Sequence, residues 1–380
     1  MRIMCELLGV RAVSGLSVPT VRLGLRDWDH LVPLMTGLVR VPGFEVRIEA
    51  RDSTPDVLAE PGLDGGETSF SRYVQARAAG DDRLVGLPAF VMRGFRHRCA
   101  LVRTDSPLRS FEQLAGARVG LTGWPDSGNT WTRALIRAAG VDLADVTWRV
   151  GPLAAGETDK RRLGDRPLPA NVSAMKAGES LTGELAAGRL DAILTPFMPP
   201  EFFTPDSRFR HLLDDHPAAE RAYWSATGFV PGIHLVTLKK EVVEAHPELP
   251  AALLAALEQS KRHWMGRRRL LTDTTPWLLH SLTESATVFG DDWMPYGTVR
   301  NAAMTAAFCE ELHAQGVWPD PIDPAVVLPE AFPEPFPEPS AAAATSPREP
   351  QTSPTRPDPP STSPSSTRHR ILEERPCASP

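Results

Sequence analysis

Apolar and polar positions alternate along this chain in a way that predicts strands interleaved with helices. Short apolar runs bounded by turn residues, at 21–25, 46–50, 117–121, 146–150, 192–195 and 232–238, predict strands. Helical periodicity marks 70–79, 180–187 and, in the C-terminal third, about 241–266, 273–289 and 299–315. Residues 110–114 predict one helical turn with Ser110 as its N-cap, and 95–102 an extended, partly buried stretch. Strands alternating with helices imply parallel α/β sheets. Segments 100–106 and 195–235 read as connections between two lobes. The expected arrangement is lobe I from 19–102 and 225–328, lobe II from 103–224, and a ligand cleft between them. Residues 1–18 read as a loose leader. From about Leu328 onward Pro, Ser, Ala and Glu displace large apolar side chains, so 329–380 is expected to be a disordered tail that cannot offset its own ordering entropy.

One connection stands out within this pattern. The strand ending at Leu121 runs into Thr122, Gly123, Trp124, Pro125, Asp126, Ser127, Gly128 and Asn129, residues suited to tight turns and N-caps, and a helix is predicted over 130–139, stopping at Gly140. Free backbone N–H groups at a helix start favour a carboxylate or phosphate. No Gly-Lys-Ser/Thr follows, and the G-x-G-x-x-G spacing is missing, so neither a nucleotide P-loop nor a dinucleotide fingerprint is present. An anion-binding loop and an ordinary strand–helix connection both fit the segment.

Composition narrows the chemistry. The chain has 380 residues and a formal charge of -6, with no dominant basic patch, which argues against a nucleic-acid partner. Lysine is scarce: Lys160, Lys176, Lys239, Lys240 and Lys261 are all there are, so a Schiff-base mechanism is poorly supplied and arginine is left to hold any anion. Cys5, Cys99, Cys309 and Cys377 have no metal-ligand spacing and read as free thiols in a reducing compartment. Glu6 and Arg11 interrupt what would be the apolar core of a signal peptide, and no run approaches the roughly 20 apolar residues of a membrane span. A cytoplasmic location and no membrane span are the expectation. Zinc-type H-E-x-x-H and H-x-x-E-H patterns are absent from the sequence, and no metal or other cofactor is expected.

Five clusters carry candidate chemistry: Arg26 to His30; Glu67 to Tyr73; Met92 to Arg98; the loop 122–131; and Phe229 to His234 with Trp293 to Tyr296. The first two follow strand ends, where α/β folds place ligand-binding groups. Each has a structural alternative. Arg93, Arg96 and Arg98 read as a solvated strand edge or as anion-binding residues; in a regular strand Arg96 and Arg98 point away from Phe95 and His97. His97 and His234 read as packed histidines or as proton carriers, Glu67 as a turn cap, and Trp28, Trp131 and Trp293 as core or as cleft wall.

Taken together the clusters resemble the 4,5-dihydroxyphthalate decarboxylase-like family, which shares the type 2 periplasmic-binding-protein fold. The resemblance spans most of 20–328. It rests on Glu67-x-Ser69 before Ser71-x-Tyr73, on Phe95-Arg96-His97, on the loop ending Asn129-Thr130-Trp131, on Pro231-x-Ile233-His234, and on Thr275-Pro276-Trp277 leading to Asp292 through Gly297. Gly232 is smaller than the pattern has at that turn. The resemblance implies an α/β, two-lobed fold and a cofactor-independent decarboxylase of a hydroxylated aromatic carboxylate. It implies His97, His234 and Glu67 as catalytic residues, with either histidine delivering the proton and Glu67 orienting it or binding a ring hydroxyl. It implies Asp27, Trp28, Ser69, Arg93, Arg96, Ser127, Asn129, Thr130, Trp131, Pro196, Trp293 and Tyr296 as substrate-binding residues, with Arg96 and the helix start holding carboxylates. A solute-binding protein of a transporter, the commonest use of the fold, is the alternative. A relation to the thiamine-pyrimidine synthases of the same fold has less support, because their Cys-rich iron motif is absent. The oligomeric state is not legible.

Overall fold

In the computed structural model, residues 18–157, 163–164 and 166–328 are described. The expected leader, apart from Val18, and the expected tail 329–380 lie outside the described residues. Along the chain, β1 (Thr20–Leu25), α1 (Val32–Met35), β2 (Glu45–Ala50), β3 (Gly65–Ser69), α2 (Phe70–Ala78), β4 (Leu84–Gly86) and β5 (Met92–Arg93) come first. Then come β6 (Ala100–Arg103), β7 (Arg118–Leu121), α3 (Ser127–Ala138), β8 (Thr147–Val150), β9 (Val172–Ala174), α4 (Leu181–Ala186), β10 (Ala192–Leu194), β11 (Phe209–His211) and α5 (His216–Thr227). β12 (Gly232–Lys239), α6 (Lys240–Ala245), α7 (Leu249–Leu270), α8 (Leu278–Phe289) and α9 (Ala302–Ala314) follow.

The strands form two sheets. The first has the order β2-β1-β3-β12-β4, with β5 also on β12; the second has the order β11-β6-β10-β7-β8-β9. In the first, β1 is parallel to β2 and β3, while β12 runs antiparallel to β3, β4 and β5. In the second, β10, β7, β8 and β9 are mutually parallel. β12 is the return strand: it brings the chain back from the second sheet into the middle of the first. Its Ile233, Val236 and Thr237 suit a strand buried on both faces. The chain changes sheet between Arg93 and Ala100 and again between His211 and Gly232, so β6 pairs in the second sheet although its first three residues fall on the lobe I side of the expected boundary at 102.

Several local expectations are corrected. Residues 95–102 do not run extended: a tight helical turn, His97–Cys99, precedes β6. Ser110 is not a cap; the turn is Glu112–Leu114 with Phe111 ahead of it, and the Ser110 N–H donates instead to the Gln113 side chain at 3.1 Å. The stretch 241–266 is two helices, divided at His246, with Pro250 in the first turn of α7. α3 opens at Ser127 rather than 130. The Ser127 hydroxyl is why: it lies 2.9 Å from that of Ser69 and accepts the Ser71 N–H at 2.9 Å, so it closes this helix start against that of α2. Aromatic packing extends the tie. Phe308 of α9 stacks on Phe70 of α2 at 4.7 Å and meets Trp131 of α3 at 5.0 Å.

Candidate active site

Parallel strands bring their carboxyl ends to one edge, and β12, being antiparallel, brings its first residues to the same edge. Between the two sheets these ends line a cavity of about 850 Å³. The first sheet supplies Arg26, Ser69, Met92, Ile233 and His234; the second supplies Thr122, Gly151, Thr195, Pro196 and Phe197, together with Ser127, Gly128 and Asn129 from the first turn of α3.

The chemistry centres on β3 and β12. Their register sets His234 opposite Ser69 and Val236 opposite Glu67, so His234 and Glu67 share a face as diagonal neighbours. His234 Nδ1 lies 2.6 Å from Glu67 Oε1. Glu67 is fully buried, and its Oε2 accepts the Arg26 backbone N–H at 3.1 Å and the Trp28 indole N–H at 3.0 Å. Burial alone would raise the Glu67 carboxyl, but the hydrogen bonds from His234 and the Arg26 backbone hold it below the usual carboxylate range. Burial also lowers His234, and the bond to Glu67 opposes only part of that. The pair is therefore a carboxylate and a neutral imidazole. Nδ1–H donates to Glu67, and Nε2 is the nitrogen left for a ligand in the cleft.

Opposite stands the start of α3, where first-turn N–H groups have no intrahelical acceptor. Asn129 donates to Thr122 Oγ1 at 3.1 Å and to the Gly123 carbonyl at 2.8 Å, while its own Oδ1 is buried without a partner. Arg96 lies behind this turn. A Cβ on Gly128 would come within 2.8 Å of its Nη2, and among the described residues its Nε and Nη2 find no acceptor. Arg26 is in the wall itself, its guanidinium 5.7 Å from the ring centroid of Trp28 and 5.7 Å from that of Phe197 across the cleft.

Of the residues singled out from sequence, the fold gathers His234, Ser69, Ser127, Asn129 and Pro196 in the cavity wall, with Glu67 and Trp28 directly behind His234. The others lie elsewhere. Arg93 is spent on structure: it donates to the Val230 and Pro295 carbonyls at 3.0 and 3.1 Å and to Asn301 Oδ1. His97 is packed edge-on to Phe111 and Tyr223, and burial pushes it down to about 4. Thr130 bonds back to Asp126, and the Trp131 indole donates to the Gly232 carbonyl at 2.9 Å. Tyr296 is buried against Lys261, Trp293 sits beside Trp264 in a separate small pocket, and Asp27 is exposed outside the wall. Gly232 is small because a Cβ there would meet Phe90 at 2.6 Å and Met304 at 2.8 Å. Thr195 and Phe197 are wall residues outside the sequence clusters, and Arg26, which heads the first cluster, is a wall residue not counted there among the substrate-binding residues. The signal for Arg26 was its place one residue past β1.

A two-lobed α/β protein with its ligand cleft between the lobes is the class this architecture defines. The periplasmic aliphatic sulphonate binding protein SsuA from Escherichia coli superposes with a TM-score of 0.51 at 15% identity, over 83% of this chain and 93% of that one. No family model matches the chain. Two relatives are informative: 4,5-dihydroxyphthalate decarboxylase of Pseudomonas putida, 30% identical over 214 residues, 54% of this chain and 82% of that protein, and the protein of the same name from Comamonas testosteroni, 28% identical over 317 residues, 80% of this chain and 94% of that one. The chain belongs to the 4,5-dihydroxyphthalate decarboxylase family. Among the described residues, no three His, Cys, Asp or Glu side chains converge as metal ligands would, and no helix is long and apolar enough to cross a membrane.

Proposed function

We propose that this protein is a decarboxylase of a hydroxylated aromatic carboxylate of the 4,5-dihydroxyphthalate type, with His234 as the proton carrier. The observation that carries the reading is the 2.6 Å His234–Glu67 pair at the wall of the interlobe cleft. The names of the two relatives support the substrate class. The net change is small: the bond from ring carbon to carboxylate breaks, its electron pair stays on the ring carbon, that carbon takes a proton, and carbon dioxide leaves. A hydroxyl para to the departing group supplies electron density for the protonation, and loss of carbon dioxide restores the aromatic ring.

The residues divide this work. His234 on its own is neutral, because burial lowers it. An anionic ligand beside it favours the charged form, so His234 takes a proton at Nε2 as the ligand binds and delivers it to the ring carbon. The Glu67 carboxylate on Nδ1–H stabilises the imidazolium and fixes which nitrogen faces the ligand. The first-turn amides of α3, at Ser127, Gly128 and Asn129, face a carboxylate from the other side. Closed lobes exclude water, which strengthens each of these interactions.

Carbon dioxide release from 4,5-dihydroxyphthalate and a panel of related hydroxyaromatic acids tests the reading. His234→Asn is expected to lower kcat by about 10²–10⁴-fold, the usual contribution of a positioned proton donor, with ligand binding retained. Turnover by that variant at the wild-type rate sinks the assigned role. Tight binding of aromatic acids with no turnover by the wild type would instead favour the solute-binding use of the fold.

A further inference from the structure

We propose that Arg26 recognises the carboxylate that the substrate keeps, and so fixes which ring position faces His234. This rests on the aromatic-carboxylate reading above. Arginine is the cation available here, and four candidates compete, two of them in the cleft wall. Arg93 has its guanidinium committed to the Val230 and Pro295 carbonyls and to Asn301. Arg96 is buried behind Gly128 and is not part of the wall. Arg72 is in the wall but lies at the exposed rim. Arg26 is half-buried in the wall, forms no ion pair with any described residue, and has a buried Nε with no acceptor. Among the described residues its guanidinium makes one hydrogen-bond contact, a long one, 4.0 Å from Nη1 to the Met92 sulfur. A guanidinium with unspent N–H groups, held between two rings, presents its edge as a bidentate fork for a carboxylate.

Two features make this more than a stray cation. The Arg26 backbone N–H bonds Glu67 Oε2, the carboxylate that also holds His234, so the guanidinium is anchored one residue from the proton carrier's partner. The carboxylate to be kept and the carbon to be protonated are thereby referenced to the same group. The second feature is Phe197. It comes from the other sheet, so a ligand on Arg26 is gripped from both lobes.

Phthalate and catechol separate the two halves of the substrate. Phthalate has both carboxylates and no hydroxyl to drive the reaction; catechol has both hydroxyls and no carboxylate. Both are titrated calorimetrically into wild type, Arg26→Met and Arg26→Lys. Phthalate binding is expected to weaken about ten- to a hundredfold in Arg26→Met and by a smaller factor in Arg26→Lys, which keeps the charge but not the fork, while catechol binding is unchanged. The tie to Glu67 is through the backbone, so both variants keep the His234–Glu67 pair, and either one suffices for the comparison. Wild-type affinity for phthalate in both variants, parallel loss of catechol binding, or no phthalate binding by the wild type overturns the proposal. Failure of the decarboxylase reading shows up separately, as Arg26-dependent phthalate binding without carbon dioxide release from 4,5-dihydroxyphthalate.

Discussion

A histidine tied at Nδ1 to a buried carboxylate has one nitrogen left for chemistry, and its protonation in the free protein sets the pH range of the site. Burial holds His234 below 6.5. The proposed reaction needs the protonated form, so kcat/KM is expected to fall as pH rises through that lowered value, on the acid side of 6.5. Glu67→Gln keeps an acceptor for Nδ1–H but removes the charge that favours the imidazolium. The falling limb should then move further to acid, with kcat reduced; a limb that stays in place would mean that His234 is not the titrating group. At this scale the sequence was only partly readable. It offered His97 and His234 as equals. What separates them is backbone: His97 falls in a tight turn that packs it against Phe111 and Tyr223, whereas His234 is near the start of a strand facing the cleft. Nothing in the spacing Phe95-Arg96-His97 shows that turn.

Elements were missed where sequence propensity and packing disagree. Gly65-Gly66-Glu67-Thr68-Ser69 is given no strand from the sequence, with Glu67 offered as a turn cap, yet it is β3, which carries Glu67. The glycines allow it: a Cβ on Gly65 would come within 2.4 Å of the Thr237 carbonyl, so only a bare backbone lets β3 approach β12 this closely. α5 was missed because none of its residues is buried deeply enough to write an apolar stripe. Its ends are plain once seen: Asp215 accepts from the Ala218 N–H at 2.9 Å, and Gly228 closes it at a φ of 71°. α3 was placed late because Ser, Gly and Asn are weak helix formers; contacts with Ser69 and Ser71 recruit them. Gly128→Ala tests how tightly that first turn is fitted. The new methyl must displace the buried Arg96 guanidinium, so a loss of about 1–3 kcal/mol is expected in urea denaturation, the usual cost of overpacking. Unchanged stability would show that Arg96 has room to move.

For the whole molecule, the alternation of strands and helices was enough to read two lobes with a cleft between them. The exact crossing was not readable, because 93–100 mixes charged and aromatic residues without a period. Buried histidines give the molecule a predictable acid response. Burial holds His30 and His97 down to about 4 each. Both have an ordinary value of 6.5, so between 6.5 and 4 the unfolded chain binds more protons than the folded one. These two groups make stability fall as pH falls through that window, by up to about 2.7 kcal/mol per pH unit together, and Glu220, which burial pushes up to about 7, opposes part of this slope. Urea unfolding at pH 7 and pH 5 measures the slope, and a His30→Gln, His97→Gln double variant should flatten it. An equal slope in that variant would assign the acid response to other groups.

α3 follows β7 of the second sheet, but Ser127 and Trp131 tie it to Ser69, Ser71 and Gly232 of the first lobe. Each of these hydrogen bonds, the Ser69–Ser127 pair being part-buried, contributes about 1 kcal/mol. At the mouth, the lobes meet through Arg26 and Phe197, a contact of about 0.5–1 kcal/mol at an exposed site. The weaker seam is expected to open first, at Phe197, while the floor along α3 stays stitched; amide hydrogen exchange faster over 195–200 than over 127–131 checks this, and equal protection of the two would place the opening elsewhere.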